Sequence, residues 1–160
     1  MKILLLALFF TIFCNAQDTI QYTCSVNVGK SYMLLYESIQ LHPGNFVKWT
    51  SEYDLSWSEY GRYTISGDTL RLDLYDEISM DQNSTSRSFK VADSLAAANV
   101  KPYNVKYYLI SGDNLQFLTL KNKKLKPVKR IYDSSLPKPL GWLFGNGRKY
   151  IYHKTGLLKK

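Results

Sequence analysis

The chain is poor in the residues from which catalytic and metal centres are usually assembled. It holds two cysteines, Cys14 and Cys24, and two histidines, His42 and His153, which stand in unrelated surroundings. No paired-cysteine spacing and no His-x-x-x-His pattern occurs, so the common zinc sites are excluded. A Gly-x-Ser-x-Gly elbow and a glycine-rich phosphate loop are missing as well. Adjacent carboxylates such as Asp76 and Glu77 lie in a polar stretch, where solvation is their ordinary role and nothing encloses an acid against a base. No cofactor or metal is expected. An enzyme would have to assemble its site from distant strands, and the expectation is that the protein is not one.

Long apolar runs are equally scarce. Residues 3–13 form one, broken only by Thr11, between Lys2 and the small-residue stretch Cys14-Asn15-Ala16. Eleven residues fall short of the ~20 that a membrane helix needs, so residues 1–16 read as a cleavable secretory signal, cut after Ala16. Lipoprotein anchoring through Cys14 is the alternative, but such signals want a small residue where Phe13 stands. The expected location is therefore periplasm, cell envelope or extracellular space, with residues 17–160 as one β domain. That portion keeps only Cys24, so no internal disulfide staples it and packing must hold it together.

Helical periodicity is rare, whereas thirteen Tyr, seven Phe and three Trp favour an all-β domain. Residues 19–28, TIQYTCSVNV, alternate without a fault, with Tyr22 and Cys24 on the apolar face. Burial there makes Cys24 a small, unreactive hydrophobe. Residues 33–41 and 46–50 make a hairpin about the turn His42-Pro43-Gly44-Asn45, with His42 as a solvated turn residue. Residues 61–74, GRYTISGDTLRLDL, hold a complete hairpin with Leu70, Leu72 and Leu74 on one face. Its YTISGDTL returns as YLISGDNL at residues 108–115, and the shared Ser-Gly-Asp is turn chemistry. Trp57 reads as a core aromatic or as the lip of a cleft.

Residues 76–88 read as a long polar loop, 89–91 as a short strand, and 93–99 as the one short helix, capped by Asp93. Strands follow at 105–110, 115–120 and 125–132, the last demoted to an edge by Pro127. The expected fold is an antiparallel barrel or sandwich of about seven to nine strands with one short helix. Residues 137–160, rich in glycine, aromatics and bases, form either a closing strand near 149–153 or a loose tail.

Charge is unevenly placed. From Lys121 to Lys160 twelve Lys and Arg face the single acid Asp133, a net of +11, while the first 120 residues carry −3. A binding surface is read there, with Arg148, Lys149 and Lys154 supplying charge and Trp142, Tyr150 and Tyr152 flat apolar area. Its partner would be anionic envelope lipid or polysaccharide, since export makes nucleic acid a poor one. A lipocalin-like carrier of a small apolar or glycan ligand is the second reading.

The signal ending in Cys-Asn-Ala-Gln, the run Leu41, Gly44, Phe46, and the pattern Gly-x-Tyr-x-Ile-x-Gly-Asp-x-Leu-x-Leu at 61–72 resemble those of small secreted, lipocalin-like β-barrel proteins of Bacteroidota. The resemblance implies barrel fold and export. It carries over no site residue.

Overall fold

The structure, a computed structural model, describes residues 18–28, 33–52, 56–79, 85–128, 130–131 and 148–158. The segment read as a leader and Trp142 lie outside them. Strands β1 (Thr19–Val28), β2 (Met33–His42), β3 (Phe46–Glu52), β4 (Ser56–Ser66) and β5 (Thr69–Ser79) precede helix α1 (Thr85–Ala97). Strands β6 (Asn104–Ser111), β7 (Asn114–Lys121), β8 (Lys124–Pro127), β9 (Arg130–Ile131), β10 (Arg148–Lys149) and β11 (Ile151–Leu158) follow it. All pairings are antiparallel, and β1 to β7 run in sequence order.

Strand β11 decides between barrel and sandwich. It pairs with β1 on one side, from Thr19↔Leu158 to Thr23↔His153, and with β7 on the other, through Gln116↔Ile151, Leu115↔Tyr152 and Asn114↔His153. Eight strands thus close into a barrel, and β8 is the extra one. It pairs with the part of β7 that β11 does not reach, Leu118 to Lys121. The strand expected to run to residue 132 stops as β8 at Pro127, which has no N–H to continue a ladder; Val128 N–H instead returns to Phe117 O at 2.8 Å.

Turn chemistry explains the hairpins. Gly67 and Gly112 have φ of +59° and +58°, while the aspartates after them do not leave negative φ, the pattern of a turn with glycine at its first central position. Gly61 is needed for a different reason. A Cβ there would stand 1.9 Å from the Asp73 carbonyl oxygen, at the irregularity in register between Tyr60 and Gly61.

Alternation then fills the interior with Tyr22, Cys24, Ile39, Leu41, Val47, Trp49, Leu70, Leu72, Leu74, Tyr108, Leu115 and Tyr152, all buried. An eight-stranded barrel is just wide enough to be filled by such side chains or to hold one small ligand. Each buried leucine or isoleucine adds roughly 1.5–3 kcal/mol. Trp57 packs half-buried against this core.

The helix corrects the sequence reading. Strand β5 extends to Ser79 and α1 begins at Thr85, so Phe89 to Val91 are helical and Asp93 lies mid-helix. Tertiary packing is the cause: Ser88 and Ala92 are buried, and Phe89 sets its ring 4.9 Å from His42, 5.3 Å from Phe46 and 5.3 Å from Tyr60 on the outer wall. Asp93 pairs with Arg62 on β4 rather than capping a terminus. The helix ends where expected, with Asn99 at φ +54°, its N–H on Ala96 O and Val100 N–H on Leu95 O, a Schellman closure. His42 is correspondingly no solvated turn residue; it is half-buried, with Nδ1 3.1 Å from Thr19 Oγ1.

Candidate functional site

The closing strand redistributes the residues read as a surface. Tyr152 is fully buried because alternation along β11 turns its ring into the barrel, and Tyr150, immediately ahead of β11, is half-buried and packs against the same core. They are core aromatics, and the expectation that they present flat apolar area outward is corrected. Lys149 is exposed, and Lys154 is exposed with Nζ 3.7 Å from Asp113. Arg148 pairs with Ile131 in the β9–β10 ladder. Trp142 lies outside the described residues.

Exposed apolar area appears elsewhere in the basic third, on the β7–β8 hairpin. Its turn residues Asn122 and Lys123 both have positive φ, +52° and +60°, which gives a two-residue turn matched to the strand twist. Leu120 stands directly opposite Leu125, and Lys121 opposite Lys124. Cross-strand partners share a face, so the leucines lie on one side and Lys121, Lys124 and Lys126 on the other. Leu120 is 65% exposed and Leu125 38%. No acid occurs in the sequence between Asp113 and Asp133, and none of the four lysines 121, 123, 124 and 126 is in an ion pair among the described residues. The signal for this was partly present in LKNKKLK; that the leucines stay uncovered depends on β8 lying beyond the closed ring.

Inside the barrel two polar clusters interrupt the apolar packing. Glu37 on β2 is buried, and its Oε2 accepts from Tyr150 Oη at 2.5 Å and from Tyr152 Oη, the two phenols lying 3.1 Å apart. Burial first, and then the negative charge of Glu37, push the Tyr150 phenol far above its ordinary range. Burial likewise keeps the Tyr152 phenol protonated, reinforced by Tyr108 and Glu37. Cys24, opposite Glu37 across β1 and β2, is buried as expected, and desolvation followed by Glu37 pushes its thiol up to about 12. A thiol so protonated is no nucleophile near neutral pH.

The second cluster centres on buried Glu59. Lys106 Nζ lies 3.0 Å from Glu59 Oε2, and Asn104 Nδ2 donates to Oε1 at 3.0 Å and Oε2 at 3.1 Å. The same ammonium sits 3.1 Å from the centroid of the Trp49 ring, which tilts against Trp57 at 6.2 Å. Glu37, Glu59 and Lys106 all occupy inward phases of their strands, between Leu35 and Ile39, Trp57 and Gly61, and Asn104 and Tyr108. Charges at apolar phases were the sequence signal that alternation alone could have flagged.

No three of His, Cys, Asp and Glu are grouped to hold a metal ion among the described residues, and no helix among them is long and apolar enough to cross a membrane. Comparison of the chain with family models, with curated proteins and with solved structures finds no match.

Proposed function

We propose that the protein is a non-catalytic, exported barrel that attaches reversibly to anionic envelope lipid through the β7–β8 hairpin. The observation that carries this reading is the exposed Leu120–Leu125 pair backed by Lys121, Lys123, Lys124 and Lys126, with no acid near in sequence. Directly opposed lysines repel, and leucines in water gain nothing; an anionic, partly apolar surface relieves both. Lysines near such a surface contribute about 1 kcal/mol each, so three or four of them give measurable yet reversible attachment. The leucines add contact that salt does not screen. The uneven charge, +11 on the last forty residues and −3 on the rest, orients the molecule in the same sense.

The test is co-sedimentation with anionic and with neutral phospholipid vesicles. Binding is expected to favour anionic vesicles, to fall when lysines 121, 123, 124 and 126 become Gln, and to lose its salt-resistant part in Leu120→Gln/Leu125→Gln. Equal binding to both vesicle types, or no loss in the lysine variant, overturns the proposal. Binding to an anionic polysaccharide but not to vesicles assigns the surface to a different partner and also overturns it.

A further inference from the structure

Among the described residues, the barrel interior holds one carboxylate whose charge no cation balances. Glu59 has Lys106 at 3.0 Å, but Glu37 has no ion-pair partner among the described residues; its neighbours are neutral phenols. Both phenols donate to the same oxygen, Oε2. The other oxygen, Oε1, accepts no hydrogen bond among the described residues, and it is not sealed from solvent, since sealed atoms without partners include no atom of Glu37. Glu37 is only 6% exposed, so this oxygen meets little water and is open to a ligand that donates to it.

The surroundings define the donor. Tyr150 and Tyr152 flank the carboxylate with ring centroids 5.6 Å apart; Tyr108 meets Tyr152 edge-on at 5.3 Å, and Phe117 meets Tyr150 at 5.9 Å. Rings with negative faces around a carboxylate attract an organic cation twice over, by charge and by the ring quadrupoles. A free carboxylate oxygen also favours a cation that can donate N–H over one that cannot. We propose that the lumen is a binding site for a small primary ammonium ligand with an apolar or aromatic body, its N–H donating to Glu37 Oε1 and its body against Tyr150 and Phe117. The Cys24 thiol, next to Glu37 on β1, stays protonated and adds no competing charge.

The probe is 2-phenylethylammonium, compared with 2-phenylethanol and phenylacetate, which keep the ring and change the charge. Calorimetry and tryptophan fluorescence are the readouts. The ammonium should bind at least about tenfold more tightly than the alcohol, and phenylacetate should bind most weakly. Glu37→Gln, which keeps the shape and still accepts from both phenols, should bring the ammonium down to the affinity of the alcohol. Tyr150→Phe supplies the second arm should the Gln variant not fold: with one donor fewer on the carboxylate, ammonium affinity should rise. No preference for the cation, no binding at about 10 mM, ten times a ~1 mM dissociation constant, or unchanged affinity in both variants overturns the site. The lysine variants of the β7–β8 hairpin should leave this binding unchanged, so the two proposals fail separately.

Discussion

Inside the barrel, Glu59 is met by an ammonium and an amide and Glu37 by two phenols; on the β7–β8 hairpin, four lysines and two leucines have no such company among the described residues. The same elements of chemistry are therefore treated oppositely in two parts of one sheet. In the lumen a charge left alone is expensive, so partners are built in, and among the described lumen carboxylates Glu37 Oε1 is the oxygen left without a donor. On the hairpin water solvates each lysine at little cost, so geometry is free to oppose like charges and to leave leucines bare. Little stability is at stake there. The lumen clusters belong to folding and to whatever enters, whereas the hairpin belongs to what lies outside the molecule.

The largest effect expected from this contrast is in the lumen. Lys106→Met removes the cation from Glu59 and leaves a buried carboxylate with only Asn104; breaking such a pair costs about 3–5 kcal/mol. Urea unfolding should show that loss, and adding Glu59→Gln to Lys106→Met should restore most of it, because the remaining amides can bond each other. A loss below about 1 kcal/mol in the single variant, the size expected of an exposed pair, would mean that the lumen is wet and would dissolve the comparison.

How much of this was legible follows the same line. The strands from 19–28, the Leu70-Leu72-Leu74 face and both Ser-Gly-Asp turns were readable because each depends on period-two alternation or on glycine at positive φ, which are local. The closing strand was visible only as one of two options, since its pairing with β7 and β1 joins residues far apart in sequence. That closure turned Tyr150 and Tyr152 inward and undid their reading as surface aromatics. Helix α1 was misread for a related reason: its first turns carry one large apolar residue, Phe89, and only the ring cluster with His42, Phe46 and Tyr60 makes them helical. The inward charges Glu37, Glu59 and Lys106 were in plain view at apolar phases, but a partner across the barrel cannot be read along a strand.

A smaller effect concerns the thiol beside Glu37. The unfolded Cys24 ionises near 9.0 and the folded one only at about 12, so the unfolded state binds fewer protons between these values. The contribution of Cys24 is complete below pH 9 and should decline by about 1.4 kcal/mol per pH unit as pH rises through the window. Urea unfolding at pH 8 to 10.5 on wild type and on Cys24→Ala isolates it, and the slope should be shallower in the alanine variant. Labelling of native protein by a thiol reagent at pH 8 should be slow. Rapid labelling, or identical slopes, would place the thiol outside the shielded lumen and set Glu37 in a wetter environment.

The smallest stability change expected is also the one that separates the two regions most cleanly. Lys124→Glu converts the directly opposed Lys121–Lys124 pair into an opposite-charge pair on an exposed hairpin. Such cross-strand exchanges are worth roughly 0.2–1 kcal/mol, so the variant should be slightly more stable than the wild type, by about 0.5 kcal/mol at low salt and less at high salt. The same substitution reverses one of four charges at the surface proposed to meet anionic lipid, a change of two units in the local charge. Vesicle binding should therefore weaken by about tenfold or more, at ~1 kcal/mol per lysine lost and a comparable repulsion gained. Binding and stability would then move in opposite directions, as expected where a pairing is kept unfavourable because a partner relieves it. If Lys124→Glu instead lowers stability, or if vesicle binding is unaffected, the opposed lysines are held by contacts within the protein, and the hairpin obeys the same rule as the lumen.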